Sequence, residues 1–266
     1  MVNIINQALK KVINHALRSR GYQLALVKKC GPTGVDIECD FRILLPKPNP
    51  ICLDVGANVG QTINEFNAWL TNPTIHSFEP SSTIFKKLQE QKEKKGAHWK
   101  NVSLYPYALG DQPKTLELTN YKNNLLSSLL ELEDTPQNPF RGDRREIASK
   151  ETVDIRTVDD FLVEKNIQTL DMLKIDTQGF DYNVLKGAAK SLAQGKISYI
   201  FLEMNFVPMY EEQGGATTLI DYLEQYDMKV IGFYDVYRPI SRNHIAWCST
   251  LFGKSTLSHT SQSSRN

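Results

Sequence analysis

With 266 residues, the chain has room for one large α/β domain, or for a domain with a small appendage. Hydrophobic residues at 41% and charged residues at 23% are ordinary globular values. A formal net charge of +1 excludes a global electrostatic pull toward nucleic acid, and no apolar run approaches the roughly 18 residues of a membrane span.

Residues 3–19 place Ile4, Ile5, Ala8, Val12, Ile13, Ala16 and Leu17 at helical spacing. Residues 1–35 carry Lys10, Lys11, Arg18, Arg20, Lys28 and Lys29 and no acid. The expected element is an amphipathic basic helix packed as a lid on the main domain. Weak peripheral contact with anionic lipid is the alternative, although the apolar face lacks the usual Trp or Phe. Residues 31–50, with Pro32, Pro46, Pro48 and Pro50, predict an irregular connection containing a short strand near Phe41–Leu44. Residues 1–50 thus form an extension ahead of a domain at 51–254.

Strands and helices then alternate: strand 51–55, helix 61–70, strand 74–78, helix 81–95, and strand 102–107, shortened or bent at Pro106. Residues 113–157 break the alternation. Leu116–Leu118 and Val153–Ile155 read as short strands around a polar stretch with Pro136, Pro139 and Gly142, which suits a partly mobile insertion over the ligand edge of a sheet. Helix 157–166, strand 170–175, helix 181–193, strand 197–203 and helix 216–226 follow. Strands 228–234 and 244–252 are joined by loop 235–243 without a helical pattern and read as an antiparallel edge hairpin. Residues 255–266 have the composition of a disordered tail.

The segment Ile51–Gln61 carries most of the functional signal. An apolar run ends in Asp54, turns through Gly56 and Gly60, and enters a helix. Glu79 follows the second strand about twenty residues later, where an open α/β sheet places a ribose-binding acid. The glycines are spaced G-x-x-x-G, with Ala57 and Asn58 where a dinucleotide turn needs glycine, and a P-loop Gly-Lys-Ser/Thr is absent. S-adenosylmethionine is therefore the leading ligand, its zwitterionic end over the turn and its ribose on Glu79.

These residues also resemble a known family. Asp54-Val55-Gly56-Ala57-Asn58-Val59-Gly60, Phe78-Glu79-Pro80 and Tyr107-Ala108-Leu109-Gly110-Asp111 look like the FkbM family of S-adenosylmethionine-dependent methyltransferases. So do Leu173-Lys174-Ile175-Asp176-Thr177-Gln178-Gly179-Phe180-Asp181, Val184–Ala188 and Ile200–Glu203. The resemblance implies a class I methyltransferase (Rossmann-like) fold: a seven-stranded, mostly parallel sheet with helices on both faces and one antiparallel strand. It also implies that Asp54, Gly56, Ala57, Asn58 and Gly60 line the methionine moiety, that Glu79 takes the ribose, and that Tyr107 and Ala108 lie against adenine. Ser127 and Ser128 resemble a serine pair of the family, and a sugar, glycan or glycosylated natural product is the acceptor class it implies.

Methyl transfer to a hydroxyl needs alignment and a proton acceptor. Asp176 ends a buried strand beside the cofactor, and Glu203 ends the next one. They are candidates for the base, or for a divalent-metal site such as Mg2+ completed by Asn205. Structural hydrogen bonding is the third reading. Arg238, Arg242 and His244 flank the last hairpin and suit a hydroxyl-rich or anionic acceptor, with a solvated loop as the plain alternative. A nucleic-acid methyltransferase would want a basic face with interleaved aromatics, which only the first helix approaches in charge. Another small-molecule methyltransferase, or a scaffold that binds the cofactor without catalysis, is the remaining alternative. Cys30, Cys39, Cys52 and Cys248 are scattered, without metal spacing, and the first residues lack a continuous apolar signal core. Both features lead to the expectation of a reducing, cytoplasmic setting.

Overall fold

The computed structural model describes residues 34–135, 138, 140, 145–239 and 243–254. The helix expected over 3–19, Cys30, Arg242 and the tail 255–266 lie outside the described residues.

A seven-stranded sheet organises the chain. Its strands are β1 (Ile51–Val55), β2 (Thr74–Phe78), β3 (Val102–Tyr105), β7 (Leu170–Ile175), β8 (Ile197–Asn205), β9 (Met228–Tyr237) and β10 (Trp247–Lys254). Their order is β3-β2-β1-β7-β8-β10-β9. Strands β3, β2, β1, β7 and β8 run parallel, while β10 is antiparallel to both β8 and β9. The expected class I architecture and its edge hairpin are present. The antiparallel member, β10, sits one place in from the edge, and β9 closes the sheet.

The central strands are buried on both faces, so they read as continuous apolar runs rather than alternating ones. Leu53, Val55, Leu173, Ile175, Ile200 and Leu202 enter one core. That core includes residues of α4 (Val158–Glu164), α5 (Asp181–Lys186) and α7 (Ala216–Glu224). Cys52, Met172 and Tyr199 enter the other, with α1 (Ile37–Leu44) and α2 (Gln61–Trp69). Helix α3 (Ser82–Lys95) follows β2. The helix expected over 181–193 is broken into α5 and α6 (Ala189–Ala193) at Gly187, where a Cβ would collide with the Gly110 carbonyl oxygen.

Three sequence expectations need correction. Phe41–Leu44 belongs to helix α1, not a strand. Asp36 caps it by accepting from the Cys39 N–H at 3.0 Å, and Phe41 is fully buried with its ring 5.6 Å from those of Phe66, Trp69 and Phe201. The strand expected over 102–107 ends at Tyr105. After Pro106 the chain changes sheets, and β4 (Ala108–Leu109) joins β5 (Lys114–Tyr121) and β6 (Ile147–Arg156) in the order β4-β6-β5. The two short strands of the insertion are therefore parts of an eight-residue and a ten-residue strand, paired antiparallel over a small core of Ala108, Leu118, Val153 and Ile155.

Helix α1 is fastened by a buried acid. Asp40 is fully buried, and its carboxylate accepts from the Tyr234 hydroxyl at 2.6 Å and the Gly34 N–H at 2.7 Å. Burial, with the Asp40 carboxylate adding, pushes the Tyr234 phenol well above its ordinary value. Asp40→Ala is expected to cost about 2 kcal/mol, because it orphans a buried hydroxyl and an amide. Urea unfolding of the full chain measures it, and a change below about 0.5 kcal/mol would show that α1 is held by its rings alone.

Candidate active site

The carboxyl ends of β1, β2 and β7 and the start of β4 meet at one cavity, with about 740 Å³ of empty volume including space open to solvent. Its wall begins at the glycine turn. Gly56 and Ala57 donate their N–H groups to the Phe78 carbonyl at 3.0 and 2.9 Å, which sews the turn to the end of β2. Gly56 has φ +82°, and a Cβ there would collide with the Asp176 carbonyl oxygen. Only glycine lets the β1 turn and the β7 end touch in this way.

Glu79 sits where the two turns meet. Its carboxylate accepts from the Asn58 N–H and the Ser81 N–H, both at 2.9 Å. Burial pushes it up to about 7, against the lowering effect of these two amides. Ser81 stands at the N-cap of α3, but its side chain makes no capping hydrogen bond there.

Of the residues expected at the cofactor, Gly56, Asn58, Glu79, Ala108 and Asp176 line the cavity, as do Ser127 and Ser128 of the insertion. Ala57 is buried in the core with α1 and α2, and Gly60 begins α2 at φ +91°. Tyr107 is not among the lining residues. Its ring packs 5.6 Å from Phe78, with the Arg156 guanidinium 4.3 Å from its centroid.

Asp54 is fully buried and also lies off the cavity wall. It stands opposite Lys174 in the β1–β7 register, and the Lys174 ammonium is 3.1 Å from its Oδ1. The same ammonium donates to the Gly56 carbonyl at 3.1 Å and lies 3.9 Å from Asp176 Oδ2. Burial opposes the Lys174 charge, but Asp54, Asp176 and Asp181 outweigh it and raise its pKa. A lysine within a fully buried strand was itself the signal that a buried acid must face it.

Asp176 is half-buried, with Oδ1 accepting from Gln178 Nε2 at 2.8 Å. Asp181 holds the turn after β7, accepting from the Thr177 and Gly179 N–H groups at 3.3 and 3.1 Å. Burial, then the Asp176 charge, lifts Asp181 to about 6. Burial likewise raises the Glu203 carboxyl well above its ordinary value, with Asp176 and Asp181 adding to it. Of the two acids expected to meet, Asp176 lines the cavity and Glu203 is not among its lining residues; Asp176 acts on Glu203 only through its charge. Among the described residues no group of three or more His, Cys, Asp or Glu is arranged to hold a metal ion. Asn205 lines a separate cleft beside Phe206, Tyr210 and Gln213. The donor set does not fit Mg2+, and magnesium is not carried further.

Arg238 and His244 are exposed on the β9–β10 connection and do not line the cavity. Lining residues the sequence did not single out include Leu125, Leu129 and Gln178. The two leucines lie in the insertion, which the sequence placed over the ligand edge without showing which of its residues reach the cavity.

A model of the methyltransferase FkbM domain matches residues 54–230. The chain belongs to the FkbM methyltransferase family. A curated relative, the 2-O-methyltransferase NoeI of Sinorhizobium fredii (strain NBRC 101917 / NGR234), is 21% identical over 232 residues, 84% of this chain and 91% of that protein. Methyltransferase 1 of Beauveria bassiana (strain ARSEF 2860) is 29% identical over 143 residues, 51% of this chain and 57% of that protein. The solved structure of methyltransferase FkbM from Methylobacillus flagellatus KT shares the fold, with a TM-score of 0.51 and 15% identity. The match covers 77% of this chain, and the chain spans 43% of that one. As an FkbM family member the chain is an S-adenosylmethionine-dependent methyltransferase. No helix among the described residues is long and apolar enough to cross a membrane.

The cavity fits that donor chemically. Phe78, Ile84, Leu109 and Leu118 give it apolar wall for a base. Each Glu79 oxygen accepts one amide and keeps lone-pair capacity for a ribose hydroxyl. The Asp54–Lys174 pair is the support beneath it. Lys174→Met should cost about 3–5 kcal/mol by leaving Asp54 buried and uncompensated, and Asp54→Leu in the same chain should recover much of the loss. Thermal and urea unfolding of the single and double variants measure this; equal losses would mean the pair does not act as a unit.

Proposed function

We propose that the chain moves a methyl group from S-adenosylmethionine to a hydroxyl of a sugar, glycan or glycosylated natural product. The observation that carries this reading is a single cavity with Glu79 in one wall and Asp176 in another. In this reading Glu79 accepts hydrogen bonds from the ribose hydroxyls, while Gly56 and Asn58 face the methionine end. Asp176 accepts the proton of the acceptor hydroxyl as its oxygen attacks the methyl carbon. The carbon–sulfur bond breaks and S-adenosylhomocysteine leaves. Glu203, its carboxyl raised by burial, is the second acid at this sheet edge and supports the base from behind the cavity wall. Similarity to a 2-O-methyltransferase supports a hydroxyl acceptor. Ser127 and Ser128 contribute to the acceptor side of the cavity, and Arg238 and His244, exposed on the β9–β10 connection, are candidates for contact with the outer part of a longer acceptor.

Mass spectrometry tests the acceptor class. The protein is incubated with S-adenosylmethionine and a panel of methyl glycosides and glycolipid precursors, and the product should gain the mass of one CH2. Asp176→Asn should lower turnover about 100-fold or more, and Glu203→Gln by less. Full activity in both variants would remove these acids from the chemistry.

Donor binding should depend on pH through Glu79. Its folded value of about 7 lies above the ordinary 4.5, so the folded state holds the proton more tightly between those two pH values. Burying the charge therefore lowers stability as pH rises through that window, a cost fully present above 7. Ribose hydroxyls favour the ionised form, so S-adenosylhomocysteine affinity should rise about tenfold from pH 6 to pH 8. Calorimetry at the two pH values should find this rise abolished in Glu79→Gln. A rise that persists in the variant would assign it to another group.

A further inference from the structure

Gln178 has no role in the reading above, yet both ends of its side chain are held at the cavity. It follows β7 by three residues, at φ +53°, a left-handed conformation that costs a non-glycine residue free energy. Three groups from three segments converge on it. Its Nε2 donates to Asp176 Oδ1 at 2.8 Å. Its Oε1 accepts from the buried Tyr210 hydroxyl at 3.1 Å. Its carbonyl accepts from the Ser128 hydroxyl of the insertion at 2.7 Å. Gly179 beside it lies against Tyr210, whose ring would clash with any Cβ there.

The direction of the amide follows from its partners. An ionised carboxylate only accepts, so the end facing Asp176 must be NH2 and the end facing Tyr210 must be oxygen. Tyr210 is fully buried and its phenol is raised well above its ordinary value, by burial first and then by Glu203 and Asp176, so it stays a donor. The amide is thereby fixed at both ends. One Asp176 oxygen is occupied by Gln178, and among the described residues the other, Oδ2, faces the Lys174 ammonium at 3.9 Å.

We propose that Gln178 is the positioning residue for Asp176: clamped by Tyr210 and Ser128, it occupies Oδ1 and presents Oδ2 to the acceptor hydroxyl. This rests on the reading of Asp176 as the proton acceptor. It adds that the insertion and the segment after β8 act on the reaction through one amide. The charged or titratable groups facing Asp176 are Lys174 from its own strand, Glu203 from β8, Asp181 from α5 and Tyr210 from the segment after β8. Gln178 carries no charge and bonds Asp176 directly.

Two measurements test this. In the first, kcat and KM are measured against pH with a methyl glycoside that the wild-type protein methylates. Gln178→Leu should lower kcat about tenfold or more, with acceptor KM within about twofold, and should move the acid limb of the kcat profile to higher pH. Losing a donor makes the carboxylate easier to protonate. Gln178→Asn, too short to reach both partners, should not rescue it, and Tyr210→Phe should move the limb the same way by less. An unmoved limb in Gln178→Leu overturns the proposal. Loss of activity in Asp176→Asn alongside an unmoved limb would leave the base assignment standing, whereas full activity in Asp176→Asn would remove that assignment itself. The second measurement needs no acceptor. In protein labelled with 15N at glutamine side chains and loaded with S-adenosylhomocysteine, the Gln178 amide should show slowed hydrogen exchange and shift in Asp176→Asn. An amide that exchanges freely, or is indifferent to that substitution, overturns the proposal as well.

Discussion

The ion pair between Asp54 and Lys174 is the constraint on which the active edge depends. Both side chains are buried, so neither charge is tolerable without the other. Their strands are neighbours in the sheet, and each is the penultimate residue of its strand. The ammonium reaches further, to the Gly56 carbonyl and toward Asp176. One lysine thus fixes the distance between the glycine turn that faces the donor and the acid assigned to the acceptor. An apolar pair would pack as well, but it would leave that distance unspecified.

Much of the sheet was legible because the buried strands announce themselves. The runs at 51–55, 74–78 and 170–175 were bounded to the residue, each being a short apolar segment ended by a turn or breaker. Helix α1 was misread because Phe41 and its apolar neighbours have strand propensity. The i, i+4 spacing of Ile37 and Phe41, with Asp36 as a cap, was the better signal. The strands of the insertion were seen only where their apolar residues alternate. Their polar halves carry cross-strand pairs such as Glu117 with Lys150, which a linear pattern does not separate from loop.

The glycine-turn side of the cavity was similarly readable, since Gly56, Asn58 and Glu79 lie within one strand–turn–helix–strand unit. Which side chains close the cavity was not. Leu125 and Leu129 arrive from an insertion, and Gln178 acquires its meaning only when Tyr210 is folded beside it. Long-range partners of this sort leave no local periodicity. Their traces are residues that are odd in their own setting: a lysine inside a buried strand, or a glutamine at positive φ.

The fastening of α1 by Asp40 to Tyr234 joins residues 194 positions apart. Helix α1 leaves the ribosome among the first described segments, and β9, which carries Tyr234, among the last. Until β9 and β10 arrive, the buried acid and rings of α1 have no complete seat, and an eight-residue helix is marginal alone in water. The seating of α1 on the sheet therefore waits for the last strands, a non-local closure that folds slowly and late in synthesis. The edge of β8 that β10 covers is open during that interval, which makes the nascent chain most exposed to mispairing just before it becomes an enzyme.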